Sequence, residues 1–462
     1  MIVEEQAQRA LRTAFSPLVR ESKALTCALF DDLGQLVALS ETSSPFLLGR
    51  LLHEVQEEAL PQLRSLAEGE YLVRSATGPL PAHSDLVVIQ PLLQEARPLA
   101  YIAAAAHVPL VASACHVVRK EALAGLESRR DVAALMAGND LASQRLRALL
   151  AESDMSMTSL ASYITSESRH AMLRHVRAAE MLANFKQTAC IKLEDLQAYE
   201  VELSVELHAG EDFLDVKLHA ELDAKSKIQG SPGFISTSVA KFACMLALGE
   251  GIPVTSGSLG VFRISFPTAS LLDATPNGHA MHVAGLLPNL LLHCLSSDHA
   301  ASAPCLAITW DGGLHLEAGG LGAQVDQDGW SSTHFFGLHS TPLEVTEAST
   351  PCLFLCRELV PDSGQPGRHR GGLGVRCLLR QRLRDLQLET EGGRGLGAPG
   401  QRARELVARD LREGYITAKG AEAYAAGAKW SASRAIEWQV GSSARAAARS
   451  ERCKRTAAPS ST

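Results

Sequence analysis

CLFLCRELVPDSGQPGRHRGGLGVR, residues 352–376, is the stretch from which the fold can be read. The apolar run Cys352 to Leu355 leads into Asp362, Ser363 and Gly364. Gly367, Arg368, His369 and Arg370 then precede Gly371-Gly372-Leu373-Gly374, and a second apolar segment follows. Five glycines between positions 364 and 374, interleaved with three basic side chains, predict a tight loop between two strands. Such a backbone either packs closely on itself or approaches a ligand. Clustered N–H groups can cradle an anion. The spacing is neither GxxxxGK[ST] nor a GxGxxG that opens a helix.

Working outward, a chain of 462 residues with 46% apolar and 21% charged residues has enough material for a large core spread over packed lobes. A net charge of −7 argues against nucleic acid or an anionic membrane as the main partner. No run of about 18 apolar residues occurs, so no transmembrane helix is expected. The start, MIVEEQAQRALRTAF, reads as an amphipathic helix and not as a secretion signal. The ten cysteines are scattered and none forms a CxxC pair. This usage suits a reducing cytoplasmic compartment, with no disulfide framework and no zinc knuckle.

The periodicities predict an α+β chain of mixed sheets with packed helices and a helical hairpin insertion, a large multi-lobed single domain over residues 1–430. Helices are expected over 2–19, 47–67, 234–249 and 283–296, and the hairpin over 118–183. Asp31-Asp32-Leu33-Gly34 joins two strands, as does His208-Ala-Gly-Glu-Asp212. Short strands are expected at Tyr71–Val73, Leu86–Ile89 and Leu99–Ala103. Residues 431–462, ending SSARAAARSERCKRTAAPSST, read as a mobile basic tail.

Four stretches, taken together, resemble the B-type subunit of the hydantoinase/5-oxoprolinase family, to which the matching half of acetone-carboxylase-type enzymes is related. They are RALRTAFSPLVRESKALTCALFDDLGQLVA (9–38), DGGLHLEAGGLGA (311–323), HFFGLHSTPLEVTE (334–347) and PDSGQPGRHRGGLGV (361–375). The segment EGGRGLGAPGQRARELVARDLREGYIT (391–417) is similar to the family's ending. The resemblance implies an A-type partner that binds ATP. The pair would open a cyclic amide such as 5-oxoproline, the substrate that links the family to glutathione metabolism, or a hydantoin. ATP would enter only through the partner, in keeping with the absence of a P-loop here.

His83-Ser84-Asp85 with His107 offers imidazole and carboxylate ligands from two strand ends, a set suited to zinc, manganese or iron with a coordination position left open. By resemblance, His83 and His107 match family histidines, and Asp85 matches the aspartate with one residue lost. Other candidates are His334, Glu317 and Asp362 for catalysis, Arg368 and Arg370 for substrate binding, and Glu344. Elsewhere the family pattern has changed. Its Asn-Asp-Pro is Ser75-Ala76-Thr77, its Gly-Gly-Thr is Leu80-Pro81-Ala82, and its second histidine and aspartate are Val108 and Leu110. The sequence therefore supports a divergent subunit of an ATP-coupled cyclic-amide hydrolase. The alternative is a catalytically degenerate member kept as an interaction or regulatory subunit in a hetero-oligomer.

Overall fold

The computed structural model describes residues 1–41, 43–78, 83–109, 111–125, 128–178, 186–194, 199–222, 231–249, 251–268, 270–274, 280–295, 300, 302, 306–310, 313–333, 339–381, 384–425 and 436–441. It is a mixed α+β protein. The strands β1 (Leu25–Asp31), β2 (Leu36–Leu39), β3 (Glu70–Thr77), β4 (His83–Gln94), β5 (Arg97–Pro109) and β6 (Ala114–Arg119) form an antiparallel sheet in the order β2-β1-β5-β4-β3-β6. Both faces of its centre are covered. Phe30, Val87, Ile89, Tyr101, Ala103 and Ala105 point into one core, and Leu25, Cys27, Leu86, Val88, Ala104 and Ala106 into another. Alternate residues serve opposite cores because strand side chains have a period of two. That double burial explains why these strands read as unbroken apolar runs.

The helices Ile2–Thr13 and Arg129–Ser153 cover one face. On the other face, Leu47, Leu48 and Leu51 of the helix Pro45–His53 pack beside Ile235, Val239 and Ala243 of the helix Gly233–Leu248 and Leu287 and Leu291 of Ala280–Leu295. Beyond these helices lies a second sheet. Its strands β7 (Lys186–Glu194), β8 (Tyr199–Ala209), β9 (Leu214–Leu222) and β10 (Phe262–Ser265) run in the order β10-β9-β8-β7. The hairpin β11 (Leu306–Trp310) with β12 (Gly313–Glu317) and the sheet β13 (Leu353–Leu359), β14 (Val375–Gln381), β15 (Arg384–Glu389) belong to a glycine-rich C-terminal lobe. His339 N donates to Ser22 O at 2.9 Å, tying that lobe to the first.

Three expectations need correction. The helix over 47–67 is interrupted: after His53 the chain takes a wide π-type turn, Glu54–Glu58, and resumes as helix only at Leu60–Leu63. Pro61 lacks the N–H that a continuous helix would need. The helical hairpin starts at Arg129, because Ala114–Arg119 pairs with β3 as an edge strand and Lys120–Gly125 is a 3₁₀ turn. Cys115, Val117 and Val118 suit an edge strand, the last two through their β-branched side chains. Within the basic tail, Ile436–Gly441 is a strand, β16, parallel to β7. Residues 442–462 lie outside the described residues.

The loop quoted at the outset packs on backbone. A Cβ on Gly372 would lie 2.0 Å from the Trp330 carbonyl oxygen, and one on Gly371 would lie 1.9 Å from that of Gly393. A Cβ on Gly320 would lie 2.0 Å from the Gly372 oxygen, and one on Gly393 would lie 1.9 Å from the Leu321 oxygen. Hydrogen bonds cross these contacts: Gly372 N to Leu321 O and Gly393 N to Gly372 O, both 2.8 Å. Extended segments near 319–323, 329–333, 363–374 and 391–396 thus stack closer than any side chain permits. The N–H groups of Arg368, His369, Gly371 and Gly372 are spent on carbonyls, that of Arg370 on the Asp328 carboxylate, and those of Leu373 and Gly374 on serine hydroxyls, so the loop is a scaffold and not an anion cradle.

Candidate functional site

β4 and β5 pair in a register that sets Asp85 directly opposite His107. Asp85 shares the face of Val87 and Ile89, and His107 that of Ala103 and Ala105, so both point toward the helix Pro45–His53. Both are fully buried. His107 Nδ1 is 2.8 Å from Asp85 Oδ1. The carboxylate accepts this bond, so Nδ1 is the donor and Nε2 is the ring nitrogen left for another partner. Nε2 is buried and has no hydrogen-bond partner among the described residues. An unsatisfied buried nitrogen costs about 1–3 kcal/mol, which marks a place where the site expects another group.

Asp85 Oδ2 accepts from Arg50 Nε at 3.2 Å. Arg50, itself buried, also donates through Nη2 to Thr77 O at 3.2 Å and lies with Cζ 4.8 Å above the Phe234 ring. Gly49 makes this possible, since a Cβ there would come 3.0 Å from the Phe234 carbonyl oxygen. The wide turn then aims Glu54 inward, where it pairs with Arg50 Nη1 at 3.6 Å and Arg74 Nη1 at 3.0 Å. Burial raises the Glu54 pKa, and the two guanidiniums only partly offset this. His53 stacks on Phe234, centroids 4.4 Å apart.

A second cluster surrounds Glu317 at the end of β12. Arg357 grips the carboxylate with Nε at 2.9 Å and Nη2 at 2.8 Å, Ser340 donates at 3.1 Å and Cys377 Sγ lies at 3.1 Å. His315 Nε2 is 3.4 Å away. Burial opposes ionisation of Glu317, but the bonds from His315 and Arg357, the Arg357 charge and the Cys377 bond outweigh it. The carboxyl is held well below its ordinary value. Burial and the Glu317 charge push the Cys377 thiol up, so it stays protonated as a donor. The depressed Glu317 adds stability that is complete above its unfolded value of 4.5 and drains as pH falls toward the folded one. Urea midpoints measured between about pH 3 and 7 should show an acid limb for wild type that is shallower in Glu317→Gln. Identical limbs would exclude this assignment.

The other sequence candidates are dispersed. Arg370 is buried on Asp410 at 3.2 Å and on the Gly371 carbonyl at 2.7 Å, a lock within the glycine stack that leaves it unsuited to substrate binding. Arg368 is exposed beside Gly397. Asp362 accepts from Thr417 N at 2.8 Å and Thr417 Oγ1 at 2.6 Å, which anchors the closing segment. Glu344 lies in the first turn of the short helix Leu343–Ser349. His334 lies outside the described residues. Sequence reasoning missed Arg50, Glu54 and Arg357. The first two had a signal: a charged i,i+4 pair set among Leu47, Leu48, Leu51 and Leu52 on an otherwise apolar helix face. Arg357 had none.

The family model for hydantoinase B/oxoprolinase matches residues 1–113 and 116–400. The chain belongs to the hydantoinase B/oxoprolinase family. Two solved structures share the fold. One is nucleotide-free acetone carboxylase, from work on ATP-dependent acetone carboxylation, at 13% identity and TM-score 0.72, covering 92% of this chain and 78% of that one. The other is the ATP-dependent caprolactamase of Pseudomonas jessenii, at 18% identity and TM-score 0.71, covering 91% and 94%. Among the described helices none is long and apolar enough to cross a membrane.

The divalent ion implied by the resemblance does not fit His83, Asp85 and His107. Both Asp85 oxygens are engaged, one by a guanidinium. His83 begins β4 opposite Pro109, two residues from Asp85 on the same face. Its ligand atoms do not gather with theirs: among the described residues, the one group of three ligand types within 4.8 Å is His315, Glu317 and Cys377. That group is compact enough for an ion, yet Arg357 already neutralises Glu317.

Proposed function

We propose that this chain is the B-type subunit of an ATP-coupled enzyme that opens a cyclic amide, working in the cytoplasm with an A-type subunit that carries the ATP chemistry. The observation that supports it is the His107–Asp85 dyad, with a buried Nε2 that has no partner among the described residues. Asp85 orients the ring and stabilises the imidazolium that forms on proton uptake, the division of labour between carboxylate and imidazole seen in nucleophile-activating triads. Nε2 accepts a proton from water. The water oxygen bonds to the activated amide carbon, the carbon–nitrogen bond breaks, and the His107 imidazolium returns its proton to the leaving ring nitrogen. Ring-opening consumes ATP on the partner. The preferred substrate is 5-oxoproline, with hydantoins and caprolactam as neighbouring lactams.

Co-expression with an A-type subunit, followed by co-purification and assay of lactam-dependent phosphate release, tests this. The expected result is a stable complex whose ATP hydrolysis depends on one of these lactams. A stable complex silent toward all of them would favour the second reading, an interaction or regulatory subunit without catalysis. Its specific support is the closed Asp85, where Arg50 occupies the face open to a cation. Failure to form a complex would remove both readings.

A further inference from the structure

We propose that Arg50 is the resident cation of the Asp85–His107 site, a fixed guanidinium in the place on Asp85 that a divalent ion would take, so that the site holds its geometry without metal. The inference rests on geometry alone and not on the catalytic reading. Arg50 and Asp85 are both buried, and they meet at 3.2 Å through Nε. The guanidinium is held on all sides: by the Thr77 carbonyl, by Glu54, and by the Phe234 face beneath it. A planar fork bound at several donors is a rigid charge, unlike a lysine ammonium.

Charge counting agrees. Asp85 and Glu54 bring two buried carboxylates, and Arg50 and Arg74 bring two guanidiniums within ion-pair distance of them. Arg74 also pairs with the exposed Glu58, so Arg50 is the cation that Asp85 and Glu54 share. A divalent ion on Asp85 would sit against Arg50 in a water-poor interior, where repulsion is poorly screened. His107 Nε2, which has no partner among the described residues, is therefore left for a proton or a neutral group and does not complete a metal shell.

The test is elemental analysis and thermal denaturation of full-length protein, produced with manganese, iron and zinc supplied and purified without chelator. Wild type is expected to carry far less than stoichiometric metal and to keep its melting temperature when Mn²⁺ or Zn²⁺ is added. Arg50→Ala removes the cation from two buried carboxylates. It is expected to melt lower and to regain part of the loss as Mn²⁺ or Zn²⁺ is titrated, because an ion that binds only the folded state stabilises it in proportion to the logarithm of its concentration. Adding His107→Ala should weaken that recovery. If Arg50→Ala does not fold, Arg50→Lys keeps the charge and is expected to fold and to ignore added ions. Stoichiometric metal in wild type that is lost in Asp85→Asn would overturn the proposal. So would a folded Arg50→Ala that no ion stabilises, or an ion-dependent Arg50→Lys. No activity is read, so failure here is separable from failure of the catalytic reading.

Discussion

Gly372→Ala is expected to yield no stably folded protein. Its Cβ would fall 2.0 Å from the Trp330 carbonyl oxygen, where ordinary contacts begin near 3.4 Å. The obstacle is backbone, so no side chain can rotate away. Relief requires the segments to separate, which breaks the bonds from Gly372 N to Leu321 O and from Gly393 N to Gly372 O. Each such bond leaves a buried donor or acceptor unpaired at about 1–3 kcal/mol. Two such bonds together come to about 2–6 kcal/mol, which reaches into the range that few single substitutions attain. Gly400→Ala is the control, because a Cβ there meets nothing within 4 Å, and its effect should stay within about 0.5 kcal/mol. Soluble yield and urea midpoints of both variants measure the contrast. A Gly372→Ala protein as stable as the Gly400→Ala control would mean that the glycine segments do not stack as described.

Loss of His107 should have the largest effect on turnover. In the complex with an A-type subunit, His107→Ala is expected to lower kcat about 10²–10⁴-fold, the usual contribution of a positioned general base. KM for the lactam should change little. Asp85→Asn keeps the shape but loses the charge that holds Nδ1–H and pairs with Arg50. It should lower kcat too and should also lower the melting temperature, since it leaves a buried guanidinium with reduced compensation. The two variants therefore separate chemistry from stability. Co-elution with the partner guards against simple misfolding. Undiminished kcat in a correctly assembled His107→Ala complex would remove the catalytic assignment and leave the interaction-subunit reading.

Much of the fold could be read from residues close together in the chain. The Asp31–Gly34 turn appears as expected, with Gly34 at φ +80 where a side chain would be strained. The helix Gly233–Leu248 matches the helix expected over 234–249. Strand ends were less legible. β3, β4 and β5 run well past the short apolar cores that marked them, because pairing with a neighbour carries a strand through residues such as Ser75, Ser84 and His107 that have no apolar pattern.

The candidate site divides along the same line. Its dyad was readable, since His83, Asp85 and His107 stood out as polar groups at the ends of apolar runs. The reading as a metal shell did not account for Arg50. That residue lies 35 positions from Asp85, on a helix whose contact with β4 no local pattern encodes. Likewise Glu317 was singled out, but its partner Arg357 lies 40 residues on.

By itself, then, the sequence determined the family, the alternation of helices and hairpins, and the turn glycine at position 34. Those depend on local φ/ψ preference, on period-two and period-3.6 patterning, and on composition, all carried by near neighbours. Tertiary structure alone decided the register that sets Asp85 opposite His107, where a slip of one residue would turn the two to opposite faces. It alone brought Arg50 onto Asp85 and stacked the glycine segments backbone on backbone. Those outcomes arise from contacts between residues tens to hundreds of positions apart, and they form only when the whole core closes.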